Sequence, residues 1–167
     1  MKLAAFVLLT ALALSLPASG KTVDLGPYTL SFNAPSDLFR GEYDTPMATE
    51  DETLYAYAIG NRDASRVCVI YLHDGLVPFT PEYLNNTLDF WLSVGTVRVK
   101  TWNVSTEETI AYRGEGVTTE GALQAYGYSK AFNIAEDGSG VNMFIVTKTV
   151  GLTIDEAEGI FYSMKLT

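Results

Sequence analysis

Alternation of apolar and polar residues predicts strands in the first half of the chain. Residues 28–32 alternate strictly, as a half-buried strand does, and the run ends near Pro35. Residues 53–59 carry tyrosine and leucine and predict a second strand. Residues 66–72 are apolar at both odd and even positions, which indicates a central strand covered on both faces. Because residues 60–63 have turn chemistry, we expect these last two strands to form a hairpin.

A change of period after residue 79 predicts a helix. Thr80 is a suitable N-cap and Pro81 a suitable first helical residue. Apolar residues then recur at helical spacing until Gly95: Tyr83, Leu84, Leu88, Trp91 and Leu92. Residues 97–102 fit either a short strand or an extended connection.

Three further strands are predicted over residues 109–117, 122–132 and 141–149. Short polar turns join them, so we expect an antiparallel meander. One face of the middle strand carries mainly small side chains, which leaves room for a helix to lie close. The residues on this face are Leu123, Ala125, Gly127, Ser129 and Ala131.

The end of the chain predicts a second helix. Thr153 and Glu156 have the spacing of a capping box, in which hydroxyl and carboxylate each bond the backbone of the other residue. An apolar stripe follows, and we expect it to pack on the meander: Ala157, Ile160, Phe161 and Met164.

The order of elements predicts an α+β domain, with an antiparallel sheet of about six strands and helices packed on its faces. Residues 36–51 are expected to form a long irregular loop. Because there is no repeat, low-complexity segment or linker, we expect one domain over residues 21–167.

The first twenty residues have the pattern of a Sec-type signal peptide. Lys2 precedes an apolar run over residues 3–16, and small residues follow Pro17 at positions 18–20. The run is shorter than the roughly 20 residues that a bilayer span needs. We therefore expect cleavage after Gly20 and a soluble domain in the periplasm or outside the cell, without stable membrane insertion. An uncleaved N-terminal anchor is the alternative.

The charge excludes whole classes of partner. The chain has 11 basic and 20 acidic residues, a net charge of −9. Without Lys2 the domain has 10 basic against 20 acidic residues, a net charge of −10. Such a surface repels phosphate backbones and anionic membranes, so we expect no nucleic-acid partner.

Acidic residues gather in the predicted loop and give a candidate calcium site. Carboxylate oxygens on a loop are ligands that a hard cation prefers. The candidates are Glu42, Asp44, Glu50, Asp51 and Glu52. The spacing is not that of an EF-hand, and a solvated acidic loop is the alternative interpretation. We expect no other cofactor.

Catalytic motifs are not evident in the sequence. His73 is the only histidine and Cys68 the only cysteine, which is too few for a zinc site. No G-x-S-x-G elbow is present to supply an activated serine. His73 is interpreted as a structural or solvated side chain rather than a general base, and Cys68 as a small buried residue.

Two further kinds of candidate residue remain. Tyr126 and Tyr128 share one parity of a predicted strand, where tyrosine suits either sheet packing or a partner surface. Asn85 and Asn103 begin N-glycosylation sequons, which matter only in a host that glycosylates exported proteins.

The order of elements resembles that of the Mog1/PsbP-like group. The resemblance lies in an opening Tyr28, Phe32 and Pro35 stretch and in a capped final helix that runs into residues 163–166. Members of that group include a photosystem II subunit, a Ran-binding import factor and envelope lipoproteins. The resemblance implies a non-catalytic domain that binds another macromolecule. The chain departs from the envelope members because no lipoprotein cysteine follows its leader.

Two functions follow from these observations. The first is a non-enzymatic extracytoplasmic binding or accessory domain whose partner is a protein or an envelope component. The second is a secreted hydrolase that uses carboxylates, assisted by calcium. The hydrolase requires two carboxylates with raised pKa in one pocket.

Overall fold

The computed structural model describes residues 18–134 and 140–167, which contain eleven strands and two helices. The strands are β1 (Ala18–Leu25), β2 (Tyr28–Pro35), β3 (Arg40–Tyr43), β4 (Met47–Ala48), β5 (Glu52–Gly60), β6 (Val67–Phe79), β7 (Thr96–Asn103), β8 (Ala111–Thr118), β9 (Gln124–Ile134), β10 (Val141–Val150) and β11 (Lys165–Leu166). The helices are α1 (Pro81–Ser93) and α2 (Ile154–Ser163).

The strands form two antiparallel sheets. The larger has eight strands in the order β3-β5-β6-β10-β9-β8-β7, with β4 pairing with β5 beside β3. The smaller has the order β1-β2-β11. The α+β class and the antiparallel meander are therefore confirmed, but the prediction of about six strands is too small.

The missed strands lack the pattern that sequence analysis depends on. All residues of β3 and β4 are exposed, so no apolar alternation distinguishes them from a loop. Backbone pairing with β5 defines them, as where Glu42 lies opposite Ala58. β1 pairs with β2 through a turn in which Gly26 has a φ of +63°, a conformation that favours glycine.

Both helices begin as predicted, because their start signals are local. The Thr80 hydroxyl accepts a hydrogen bond from the backbone N–H of Tyr83 (3.1 Å). At α2 both bonds of the capping box between Thr153 and Glu156 are present. The last turn of α1 ends at Ser93, before Gly95, whose φ of +68° turns the chain into β7.

The larger sheet lies between two layers. On one face it packs against the small sheet and α2, around a core formed by Leu30, Phe32, Tyr55, Cys68, Ile70, Leu72, Ile145 and Ile160. On the other face α1 lies mainly over β7 to β10, around Leu84, Leu88, Phe144 and Val146. The predicted contact of α2 with the meander is present where Phe161 stacks on Tyr128 of β9.

The small side chains of β9 do admit a helix. A Cβ atom on Gly127 would lie only 2.9 Å from Cδ1 of Leu88 on α1, which is closer than side chains pack. Ala131, on the same face of β9, belongs to the core beneath α1. The close approach of α1 to the sheet therefore depends on this run of small residues.

No helix within residues 18–134 and 140–167 is long and apolar enough to cross a bilayer. The predicted leader lies outside the described residues up to position 17, and its last three residues, 18–20, begin β1.

Candidate functional site

The two faces of β6 have different environments. Cys68, Ile70 and Leu72 are fully buried against the small sheet and α2. Val69 and Tyr71, on the opposite face, are only half-buried. The prediction that this strand is covered on both faces is wrong for the second face, because α1 lies mainly over the neighbouring strands.

A cavity of about 480 Å³ occupies this partly covered face, between α1 and the strands β4, β5 and β6. We call it the cleft. Its lining is mostly apolar and aromatic: Met47, Thr49, Glu52, Leu54, His73, Tyr83, Asn86, Thr87, Phe90 and Trp91. Met47 is 61 % exposed and Phe90 60 % exposed, so large apolar side chains border the opening. Ligand sites in proteins commonly combine such an apolar lining with a few polar groups.

Three polar side chains from different elements meet in the cleft. Glu52 stands at the start of β5, and its Oε1 is in close contact with Nδ1 of His73 on β6. The Tyr83 hydroxyl, in the first turn of α1, donates a hydrogen bond to Glu52 Oε2 (3.0 Å). Both oxygens of the carboxylate are thus engaged, and the contacts tie α1 to the hairpin of β5 and β6.

These contacts keep Glu52 ionised. The hydrogen bond from His73 is the largest influence and lowers the pKa of Glu52 below its ordinary value, against the opposing effect of burial. The hydrogen bond from Tyr83 lowers the pKa of Glu52 further. Burial and, after it, the same hydrogen bond raise the pKa of Tyr83, so its hydroxyl stays protonated.

His73 is buried and held in a fixed orientation. Its side chain is 4 % exposed, and its ring stacks on Phe144 with centroids 4.5 Å apart. Nε2 is buried and has no hydrogen-bond partner among the described residues. β6 continues to Phe79, so His73 lies within the strand rather than at its end.

No nucleophile is paired with this histidine in the described part of the cleft. The hydroxyl of Thr87 donates to the carbonyl of Tyr83 (2.8 Å), and the hydroxyl of Thr49 donates to the carbonyl of Glu52 (3.2 Å). Activation of a nucleophile requires a hydrogen bond between it and the base. In this geometry the contact between Glu52 and His73 joins β5 to β6.

A second cavity of about 200 Å³ continues along the same sheet face. Glu42, Asp44, Ala56, Val69 and Tyr71 are among its lining residues. Tyr71 stacks on Trp91 of the cleft, with ring centroids 3.8 Å apart and planes inclined by 15°. This stacked pair separates the two cavities, so the cleft has an acidic neighbour.

The candidate calcium ligands do not converge. Glu42 lies opposite Ala58, and Glu52 begins the same strand six positions earlier, which is about 20 Å away at the usual strand rise of about 3.3 Å per residue. Asp44, Glu50 and Asp51 are exposed. Among the described residues no group of three acids, histidines or cysteines could hold a metal ion. The calcium site stays a prediction that this arrangement does not support, and Glu52 lines the cleft.

The predicted tyrosine surface is also corrected. Tyr128 is fully buried and stacks on Phe161 of α2 with centroids 4.9 Å apart, so it is a core residue and cannot contact a partner. Tyr126 is half-buried against the same cluster. Sheet packing, the alternative interpretation, accounts for both residues.

The remaining sequence candidates lie away from the cleft lining. Cys68 is fully buried, and burial raises the pKa of its thiol to about 12, as expected for a small core residue. Asn85 is half-buried on α1, while Asn103 is exposed and accepts a hydrogen bond from the backbone N–H of Ser105 (2.8 Å). Their glycosylation stays a prediction.

Sequence reasoning missed the residues that make the cleft. Tyr83 and Trp91 were assigned to the apolar face of α1, and Phe90 was not assigned. Phe90 does carry a signal, because it adds a large apolar residue beside Trp91 where a polar helix face is expected. Met47 is a second signal, as an apolar residue in an acidic loop.

Comparison of the chain with protein-family models, curated proteins and solved structures gave no match. The resemblance to the Mog1/PsbP-like group stays a prediction, based on the order of elements and two short stretches.

Proposed function

We propose that this protein is a non-enzymatic extracytoplasmic binding protein whose cleft takes the apolar part of an envelope component. The observation that carries the proposal is the cavity of about 480 Å³ with mostly apolar lining and exposed apolar side chains at its opening. Large exposed apolar side chains grouped at a concave site are typical of binding surfaces. The leader pattern supports a location outside the cytoplasm.

Two observations favour binding over carboxylate-dependent hydrolysis. Glu52 is the one carboxylate among the described lining residues, whereas such hydrolysis uses two. Its pKa is lowered, first by His73, whereas a general acid needs a raised pKa.

The test is a titration with N-phenyl-1-naphthylamine, a neutral apolar dye whose fluorescence rises on leaving water. We expect saturable enhancement with the folded protein. Phe90→Ala should weaken dye binding by about five- to thirtyfold, since losing one large aromatic contact costs about 1–2 kcal/mol. Because Phe90 is largely exposed, the melting temperature should change little.

Val94→Ala is the matched control. Val94 is also an exposed apolar residue at the end of α1, but it does not line the cleft. It should bind the dye as the wild type does. Absence of saturable binding, or equal weakening by both substitutions, would show that the cleft is not the binding site.

A further inference from the structure

The aromatic lining of the cleft indicates what kind of ligand it favours. Tyr83, Phe90 and Trp91 come from one helix and line the same cavity. The faces of aromatic rings carry partial negative charge and attract cations, and tryptophan does so most strongly. Apolar contact alone would not require aromatic residues, since leucine buries apolar surface as well.

The charged group of the cleft is negative, like the partial charge on the faces of the aromatic rings. Glu52 contributes a carboxylate, whose two oxygens contact His73 and Tyr83, and no lysine or arginine occurs among the described residues that line the cavity. An anionic head group would therefore enter without a compensating charge, which is costly in a partly desolvated site. A cation would meet a carboxylate and aromatic rings.

The surroundings extend this negative field. The adjoining cavity has Glu42 and Asp44 in its lining, and both residues are exposed. The chain as a whole has a net charge of −9. A concave site lined by one sign of charge raises the local concentration of ligands of the opposite sign.

We propose that the cleft selects amphiphilic ligands that carry a positive charge, such as an amine or quaternary ammonium group attached to an apolar chain. The proposal rests on the proposed function, because it specifies the ligand class of the same cleft. The carboxylate of Glu52 and the exposed ring of Phe90 recognise the cation, while Met47 and Leu54 contact the apolar chain.

The test compares three probes that are built on an eight-carbon chain: octyltrimethylammonium, 1-octanol and octanoate. Each is titrated against the protein with bound N-phenyl-1-naphthylamine, and displacement of the dye is measured at neutral pH and low ionic strength, where screening is weak. We expect the cation to bind about tenfold more tightly than octanoate, with 1-octanol between them.

Glu52→Gln should remove most of this preference, and Glu50→Gln is its matched control. Glu50 is exposed, lies two positions away and does not line the cleft, so its substitution changes the net charge equally. Glu50→Gln should keep the preference for the cation. Equal effects of the two substitutions would overturn a specific role of Glu52, because they would indicate a general effect of net charge.

Phe90→Leu is a second variant, and it leaves the pair of Glu52 and His73 unchanged. It keeps apolar volume at an exposed position but removes the ring, so it should weaken binding of the cation about threefold and leave 1-octanol almost unchanged. Octanoate binding as tightly as the cation would overturn the charge preference alone. If the dye binds but none of the three probes displaces it, the proposed ligand class is overturned while the cleft remains a binding site. If the dye itself fails to bind, the proposed function falls as well.

Discussion

Glu52 connects three elements through one carboxylate. It accepts a hydrogen bond from the hydroxyl of Tyr83 and pairs with the imidazole of His73, although these residues lie 31 and 21 positions away in the chain. Hydrogen bonds to a charged group that is partly shielded from water are among the stronger ones in proteins. This residue therefore adds polar contacts between α1 and the hairpin of β5 and β6 to the apolar packing of the helix.

The pairing of Glu52 predicts a pH dependence of stability. Its pKa is lower in the folded protein than in the unfolded chain, mainly because of His73, so the unfolded chain takes up a proton first as the pH falls. This contribution to stability is present above about pH 4.5, the ordinary value for a glutamate, and is lost as the pH falls through the folded value.

We expect the urea midpoint of the wild type to fall more steeply below about pH 4.5 than that of Glu52→Gln. Glu50→Gln should follow the wild-type profile, because Glu50 is exposed. Parallel profiles for wild type and Glu52→Gln would contradict the assigned role.

Glu156 should contribute a similar pH dependence of stability in all three proteins. Burial would raise its pKa, but hydrogen bonds from Thr153 and Arg66 outweigh burial and lower it.

At the residue scale the sequence identified parts of the site but not their association. His73 and Glu52 were both candidates, one as a structural histidine and the other as a calcium ligand. Their contact depends on the register of β5 and β6, in which Leu54 lies opposite His73 and Glu52 opposite Gly75. A register is set by the whole hairpin, so the sequence around either residue does not reveal the pair.

Among the elements, α2 shows how local backbone geometry determines the effect of a substitution. Gly159 is exposed within the helix, and a Cβ atom added there would have no neighbour within 4 Å. Gly151, which precedes the helix, has a φ of +71°, and its Cβ would lie 2.1 Å from the carbonyl oxygen of Ser65. The two glycines flank the same capping box with opposite constraints.

We predict that the same substitution has opposite effects at these two positions. Gly159→Ala should stabilise the protein by about 0.5–1 kcal/mol, because alanine restricts the unfolded chain and favours the helix. Gly151→Ala should destabilise it by about 2 kcal/mol or more, because it combines a left-handed backbone with a steric clash. Thermal melting of both variants measures the two shifts, and a shift of the same sign in both would contradict this account.

Elements with local signals were predicted well. Thr80 and Thr153 mark the helix starts because a cap is defined within four residues. The meander follows from short connections. β3 and β4 were missed because every side chain is exposed, and β11 because it has two residues and pairs with β2 at the far end of the chain.

In the whole molecule, the chain folds into two sheets rather than one. The sequence predicts one sheet with helices on its faces. The pattern of a strand does not indicate which sheet that strand joins. β2 pairs with β1 and β11 in the smaller sheet and does not join the larger one. Its Phe32 packs across the core against the larger sheet. The cleft likewise depends on which strands α1 covers, which is a property of the assembled layers.

The proposed export makes a prediction about β1. Its first three residues, positions 18–20, pair with Asn33, Ala34 and Pro35, whereas its contacts with the core come from Val23 and Leu25. Cleavage after Gly20 would therefore remove three ladder pairs and leave the core contacts in place. We expect the protein exported from a bacterial host to start at Lys21 and to melt cooperatively, as intact mass and calorimetry would show. A mass that includes residues 1–20 would contradict cleavage.

The division of β6 between its two faces has a consequence for how this molecule could diversify. Cys68, Ile70 and Leu72 are buried in the interior, while Val69 and Tyr71 line the second cavity on the other side. Changes at the second set can alter what the surface accepts without disturbing the packing that the first set maintains. Natural selection could therefore retune specificity along a single strand, one residue in every two, while leaving the architecture untouched.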